Sequence, residues 1–295
     1  MKEILFTGAG TAIITPFKNN QIDYDSYKKI LDKQIEEKVG AIVVCGTTGE
    51  SATLNDTEHK ELISFTVEYV NKRIPVIAGT GSNDTPYAVE LSKFACDAGA
   101  DGLLSVTPYY NKTTQKGLIK HYLAVAEAVD KPIILYNVPS RTGVNILPET
   151  CFELSKHPNI NGLKNATSNP SQILKTVALC GDELNIYSGD DDQITTHMAI
   201  GAKGVISVLS NLLPGETQRI CTEFINGNVA ESLRLQIKYL DLINALFCEV
   251  NPMPVKKAMA LCGYCSDEIR LPLCELEEAN EAKLCAILKK HGLIA

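Results

Sequence analysis

At 295 residues, 45% hydrophobic and 21% charged, the chain is long enough to bury a large core, either as one α/β barrel or as two ordinary domains. A net charge of −7 argues against nucleic acid or an anionic membrane as partner and leaves small molecules as the expected ligands. The opening MKEILF is too weakly apolar for a secretory signal and no run reaches membrane-spanning length, so a cytoplasmic location is expected.

Short apolar runs alternate with longer stretches of helical period, the pattern of βαβ units. Strands are predicted at residues 11–14, 41–45, 75–78, 102–106, 133–136, 160–164, 185–187 and 204–208, with helical segments such as DYDSYKKILDKQIEEK and KGLIKHYLAVAEAV between them. Eight such units fit a (β/α)8 TIM barrel, whose chemistry belongs on the loops after the strand C-termini. Past Pro214 the strands stop, and helices are predicted near 216–226, 229–247, 255–261 and 276–291. This divides the chain into a catalytic barrel over 1–228 and a C-terminal helical extension over 229–295.

Taken in chain order, the second predicted strand ends in Gly46-Thr47-Thr48-Gly49-Glu50-Ser51. Its glycines allow a tight turn, and its hydroxyls and free N–H groups suit a carboxylate or phosphate. Asn55, with Glu58 three residues on, marks the start of the next helix. The fourth strand ends in Thr107-Pro108-Tyr109-Tyr110-Asn111-Lys112, a pair of aromatics on a loop that calls for a ligand or another subunit. The fifth ends in Tyr136-Asn137-Val138-Pro139-Ser140-Arg141-Thr142-Gly143, and the sixth, NINGLKNAT, in Lys164.

Read alone, Lys164 is a strand-end lysine whose ammonium reaches back to water, Tyr136 is a packed aromatic, and Arg141 is a solvated loop residue. Read together they carry more. Strand side chains alternate, so Ile134 and Tyr136 share one face and Gly162 and Lys164 another. If both faces point inward, the phenol and the amine converge at the barrel mouth, with Gly162 leaving room below for the lysine. A desolvated amine holds its proton less tightly and can attack a ketone, as a Schiff-base lysine must. The phenol is a suitable proton donor and acceptor, and the guanidinium can clamp a carboxylate.

Gly189-Asp190-Asp191-Asp192 after the seventh strand is read as a helix start with acids facing the dipole, not as a metal site. The five histidines show no ligating spacing, so no metal is expected. Ten scattered cysteines without an export signal read as reduced thiols, and the lone Cys262-Gly263-Tyr264-Cys265 reads as structural.

GTTGES, VTPYYNK, YNVPSRTG and GLKNAT, in this order, resemble the pyruvate-dependent class I aldolase and lyase family, and within it the dihydrodipicolinate synthase group, from about Thr11 to Leu273. The resemblance implies that Lys164 condenses with pyruvate, and that the enamine then attacks L-aspartate 4-semialdehyde to give 4-hydroxy-2,3,4,5-tetrahydrodipicolinate. That is the first committed step of diaminopimelate and lysine biosynthesis, and it needs no cofactor. It also implies that Tyr136 donates the proton, that Thr47 links it to Tyr110, and that Tyr110 crosses a dimer interface in a homotetramer built as a dimer of dimers. Thr48 then holds the pyruvate carboxylate, Ile206 and Gly189 complete the pocket, and Arg141 receives the semialdehyde.

N-acetylneuraminate lyases and keto-sugar-acid aldolases share the lysine and tyrosine; the Thr47-Thr48 pair and Arg141 favour the small acidic semialdehyde. Lysine-inhibited members bind the effector beside the segments that here hold Ser51, Ala52, Asp56, His59, Asn83, Tyr87 and Tyr109. Such members carry a histidine at the place of Asp56 and a glutamate at that of Tyr87. A cationic effector loses its acid here, so weak or absent lysine inhibition is expected.

Overall fold

The computed structural model describes residues 2–295. Eight strands form a closed parallel barrel: β1 Gly8–Ala12, β2 Ala41–Val44, β3 Val76–Gly79, β4 Gly102–Val106, β5 Ile133–Asn137, β6 Ile160–Asn165, β7 Asn185–Ser188 and β8 Gly204–Ser207. β1 closes the ring by pairing with both β8 and β2. Helices between the strands bury their inner faces against the sheet; Tyr24–Glu36, for example, covers it with Tyr27, Ile30, Leu31 and Gln34.

The inside of the barrel is a separate apolar cluster built on Ala12, Ala41, Val43, Ile77, Leu104, Ile134, Tyr136, Tyr187 and Ile206. Phe6, which precedes β1, enters this cluster and stacks on Tyr187 with ring centroids 4.4 Å apart. The Tyr187 hydroxyl donates to the Phe6 carbonyl oxygen at 3.0 Å. This arrangement explains where β1 departs from the prediction. The strand begins at Gly8, three residues before the predicted 11, because its small residues make room: a Cβ on Gly10 would stand 2.7 Å from the Phe6 ring. Gly162 has a similar explanation. A Cβ there would meet the Asn185 carbonyl oxygen at 2.9 Å and the Tyr187 ring at 3.4 Å. The tight contact there is with the Asn185 backbone, and the Tyr187 ring lies at ordinary van der Waals distance.

After β8 come helices Pro214–Ile225, Val229–Lys238, Leu240–Ala245, Met253–Leu261 and Glu278–Lys290. The single helix predicted over 229–247 is broken at Tyr239, whose φ of −102° and ψ of 5° leave the helical region. Tyr239 turns its hydroxyl to Glu216 at 3.0 Å. At the other end of the chain the Lys2 ammonium is clasped by the carbonyls of Ser155, His157 and Ile160, beside the start of β6. No helix among the described residues is long and apolar enough to cross a membrane.

Candidate active site

Tyr136 and Lys164 are register partners on β5 and β6, and Tyr187 on β7 is the next partner along. Parallel neighbours in register point to the same side, and Tyr136 and Tyr187 both belong to the inner cluster. Lys164 is 7% exposed, and its Nζ lies 4.3 Å from the centroid of the Tyr136 ring. The nitrogen of a buried lysine thus rests against an aromatic face at the C-terminal end of the barrel.

The loop after β2 is tightly held. Cys45 and Glu50 flank it in the left-handed region, each at φ 54°, a conformation that costs an L-residue about 1–2 kcal/mol. Contacts from outside the loop maintain it. Thr15 donates its hydroxyl to the Gly49 carbonyl at 2.7 Å, and Asn251 donates from Nδ2 to the Thr48 hydroxyl oxygen at 3.0 Å. Because that hydroxyl already accepts from Asn251, its own proton is free to point at a ligand. The carbonyl of the same Asn251 accepts from Arg141 Nη2 at 3.2 Å. Asn251 therefore touches two candidate carboxylate binders, Thr48 and Arg141, which lie more than 90 residues apart in sequence. Sequence reasoning missed it, and only its place in the proline-rich NPMP marks it.

A cleft of about 470 Å³ is lined by Thr47 and Arg141 together with Ser51, Ala52, His59, Tyr87 and Tyr109, and by Val250, Asn251 and Pro252 from the C-terminal part. Val138 joins this lining to the inner cluster that holds Tyr136. Two residues expected with the effector group lie elsewhere. Asp56 faces a separate hollow, where Lys60 donates to one carboxylate oxygen at 2.9 Å and the Tyr87 hydroxyl to the other at 3.0 Å. Asn83 lines a further hollow and donates to the Tyr109 carbonyl at 3.1 Å. His59 bonds the Gly79 carbonyl oxygen at 2.8 Å, and burial pushes its pKa down, so its ring is neutral at pH 7. A wider hollow of about 880 Å³ at the N-terminal end of the barrel mixes lysines with Glu3, Asp101, Asp130 and Glu183, and lies at the wrong end for catalysis.

Tyr110 stands apart from the other candidates. It is 92% exposed, with φ 69°, on a loop that Asn111 ties to the Asn83 carbonyl at 3.0 Å. Ile206 is buried inside β8, and Gly189 donates its N–H to the Asn165 carbonyl at 2.8 Å, where a Cβ would strike Ala166 at 2.8 Å.

The acids after β7 differ from a simple helix start. Asp191 is buried, and one of its oxygens accepts the N–H groups of Val208 and Leu209 at 2.9 and 2.8 Å, which ties the turn after β8. Burial and the neighbouring Asp192 push the Asp190 carboxyl up to about 6, against the opposing pull of Lys164. Among the described residues no group of His, Cys, Asp and Glu is placed to hold a metal ion. Burial pushes the Cys265 thiol up to about 12 and also raises Cys262, the reverse of what a redox pair needs.

Comparison with known proteins places this geometry in a family. The family model described as the Dihydrodipicolinate synthetase family matches residues 5–291. The 4-hydroxy-tetrahydrodipicolinate synthase of Acetivibrio thermocellus is 50% identical over 294 residues, covering 100% of both chains. That of Citrifermentans bemidjiense is 53% identical over 290 residues, 98% of this chain and 100% of its own. Among solved structures, dihydrodipicolinate synthase from Thermotoga maritima superposes with a TM-score of 0.96 at 44% identity, over 99% of this chain and 100% of the other. With matches of this extent at both levels, the chain belongs to the dihydrodipicolinate synthetase family.

Proposed function

We infer that the protein condenses pyruvate with L-aspartate 4-semialdehyde to give 4-hydroxy-2,3,4,5-tetrahydrodipicolinate, the first committed step of diaminopimelate and lysine biosynthesis. The observation that carries this reading is Lys164, buried at the C-terminal end of β6 with its Nζ 4.3 Å from the Tyr136 ring, in a chain 50% identical to a named synthase over its whole length.

In this reading the Lys164 amine attacks C2 of pyruvate, water leaves, and a Schiff base forms. Loss of a methyl proton gives the enamine, whose carbon bonds to the aldehyde carbon of the semialdehyde. The α-amino group of the second substrate then attacks C2 and releases Lys164 as the ring closes. Tyr136 moves the protons, assisted by Thr47 and by Tyr110 of the partner subunit. The Thr48 hydroxyl, whose oxygen accepts from Asn251, donates a hydrogen bond to the pyruvate carboxylate. Arg141 receives the carboxylate of the semialdehyde, and Ile206 and Gly189 shape the pocket floor. The working form is a homotetramer in the cytoplasm.

Borohydride reduction in the presence of pyruvate, followed by mass mapping, tests the first step. A reduced three-carbon adduct on Lys164 and on no other lysine is the expected result, together with consumption of aspartate semialdehyde by the untreated enzyme. An adduct elsewhere, or none, ends this reading.

A further inference from the structure

The loop that carries Thr47 and Thr48 is anchored at its far end by a charge pair that the chemistry above does not use. Glu50 and Lys256 are joined side chain to side chain, and both are out of water: 0% and 1% of their side chains are exposed. The second Glu50 oxygen accepts the backbone N–H of Arg270 at 3.2 Å. Lys256 Nζ lies 4.0 Å from the Phe17 ring centroid, and the Arg270 guanidinium lies 4.2 Å from the same centroid. Arg270 in turn forks Glu58 at 2.7 and 2.8 Å.

A buried ion pair is a poor device for stability, since an apolar pair of similar volume often serves as well. It does supply direction. Glu50 sits in the left-handed region at φ 54°, and its carboxylate has two fixed partners, so the backbone on its N-terminal side cannot rotate without breaking one of them. That backbone is Thr47-Thr48-Gly49.

We propose that Glu50 and Lys256 are positioning residues for the reaction, Lys256 reaching from the helix Met253–Leu261 to set the Thr47-Thr48 turn at the barrel mouth. The proposal rests on the pyruvate reading above. It assigns the C-terminal helices a part in turnover, not only in covering the barrel.

The test compares Lys256→Met, Glu50→Gln and the double variant, in which both charges are gone and no buried charge is left unpaired. Thermal midpoints should fall in the single variants and recover in the double. If the pair positions the turn, the double variant still loses roughly ten- to a hundredfold in kcat/KM for pyruvate. KM for pyruvate should rise more than KM for the semialdehyde, a split that general loosening does not produce. A double variant with a recovered midpoint and wild-type kinetics overturns the proposal. Should the double variant not fold, Glu50→Asp keeps the charges paired on a shorter side chain. It should fold and still show the same pyruvate-weighted loss; unchanged kinetics there overturn the proposal too. A wild-type enzyme that forms no pyruvate adduct on Lys164 would instead sink the functional reading, so the two failures are distinct.

Discussion

Arg141 is exposed at the rim of the cleft, and only one of its nitrogens is engaged, by the Asn251 carbonyl. The rest of its fork is free for a carboxylate. Replacing it by alanine removes a charge-assisted contact worth roughly 1.5 to 3 kcal/mol. The expected outcome for Arg141→Ala is therefore a loss of about ten- to a hundredfold in kcat/KM for the semialdehyde, with the rate of pyruvate trapping on Lys164 close to wild type. Equal losses for both substrates would count against the clamp.

Asp56 governs a second expectation. It is the acid that could replace the one missing at Tyr87, yet its carboxylate is shared between Lys60 and Tyr87 and lines a separate hollow. Those contacts hold its pKa below the usual carboxylate range. A lysine ligand would have to displace an internal ammonium, and a missing contact of roughly 1.5 to 3 kcal/mol means about ten- to a hundredfold weaker binding. Initial rates at subsaturating pyruvate should thus be unaffected by submillimolar L-lysine, and clear inhibition in that range would refute the expectation. Single residues were legible where their type clashed with their setting, as Lys164 did in an apolar strand. Asn251 and Lys256 were not, because their partners Thr48 and Glu50 lie 203 and 206 positions away.

Elements were legible where local chemistry repeats. The helix Asp56–Val70 starts where Asn55 and Glu58 predict, and the capping box is complete: Asn55 accepts the Glu58 N–H at 3.0 Å and Glu58 accepts the Asn55 N–H at 3.0 Å. Seven of the strands follow their apolar runs closely, because strands buried on both faces need such runs. β1 was misplaced, since Gly8-Ala9-Gly10 looks like a loop until Phe6 and Gln218 are seen to occupy the room its missing side chains leave. The break at Tyr239 was hidden for the opposite reason. The stretch from Val229 to Phe247 keeps its apolar spacing through the break, so nothing in it marks Tyr239, whose hydroxyl donates to Glu216, as the turning point.

At the scale of the whole molecule, the exposed Tyr110 is the main unfinished element of the chain. Its phenol is 92% exposed beside Tyr109, on a loop stapled through Asn83 and Asn111. If it completes the neighbour's proton relay, Tyr110→Phe and Tyr136→Phe proteins, each nearly inactive alone, should regain activity when mixed. Every mixed dimer then contains one site free of both lesions. Proven subunit exchange without recovery would place Tyr110 outside the relay. A further consequence belongs to the floor of the barrel, where Phe6 lies flat on Tyr187 and closes the N-terminal end. With that end filled by two rings, anything that reaches Lys164 comes and goes through the C-terminal mouth. If Lys164 takes pyruvate and Arg141 the semialdehyde, as proposed above, both substrates share that one entrance.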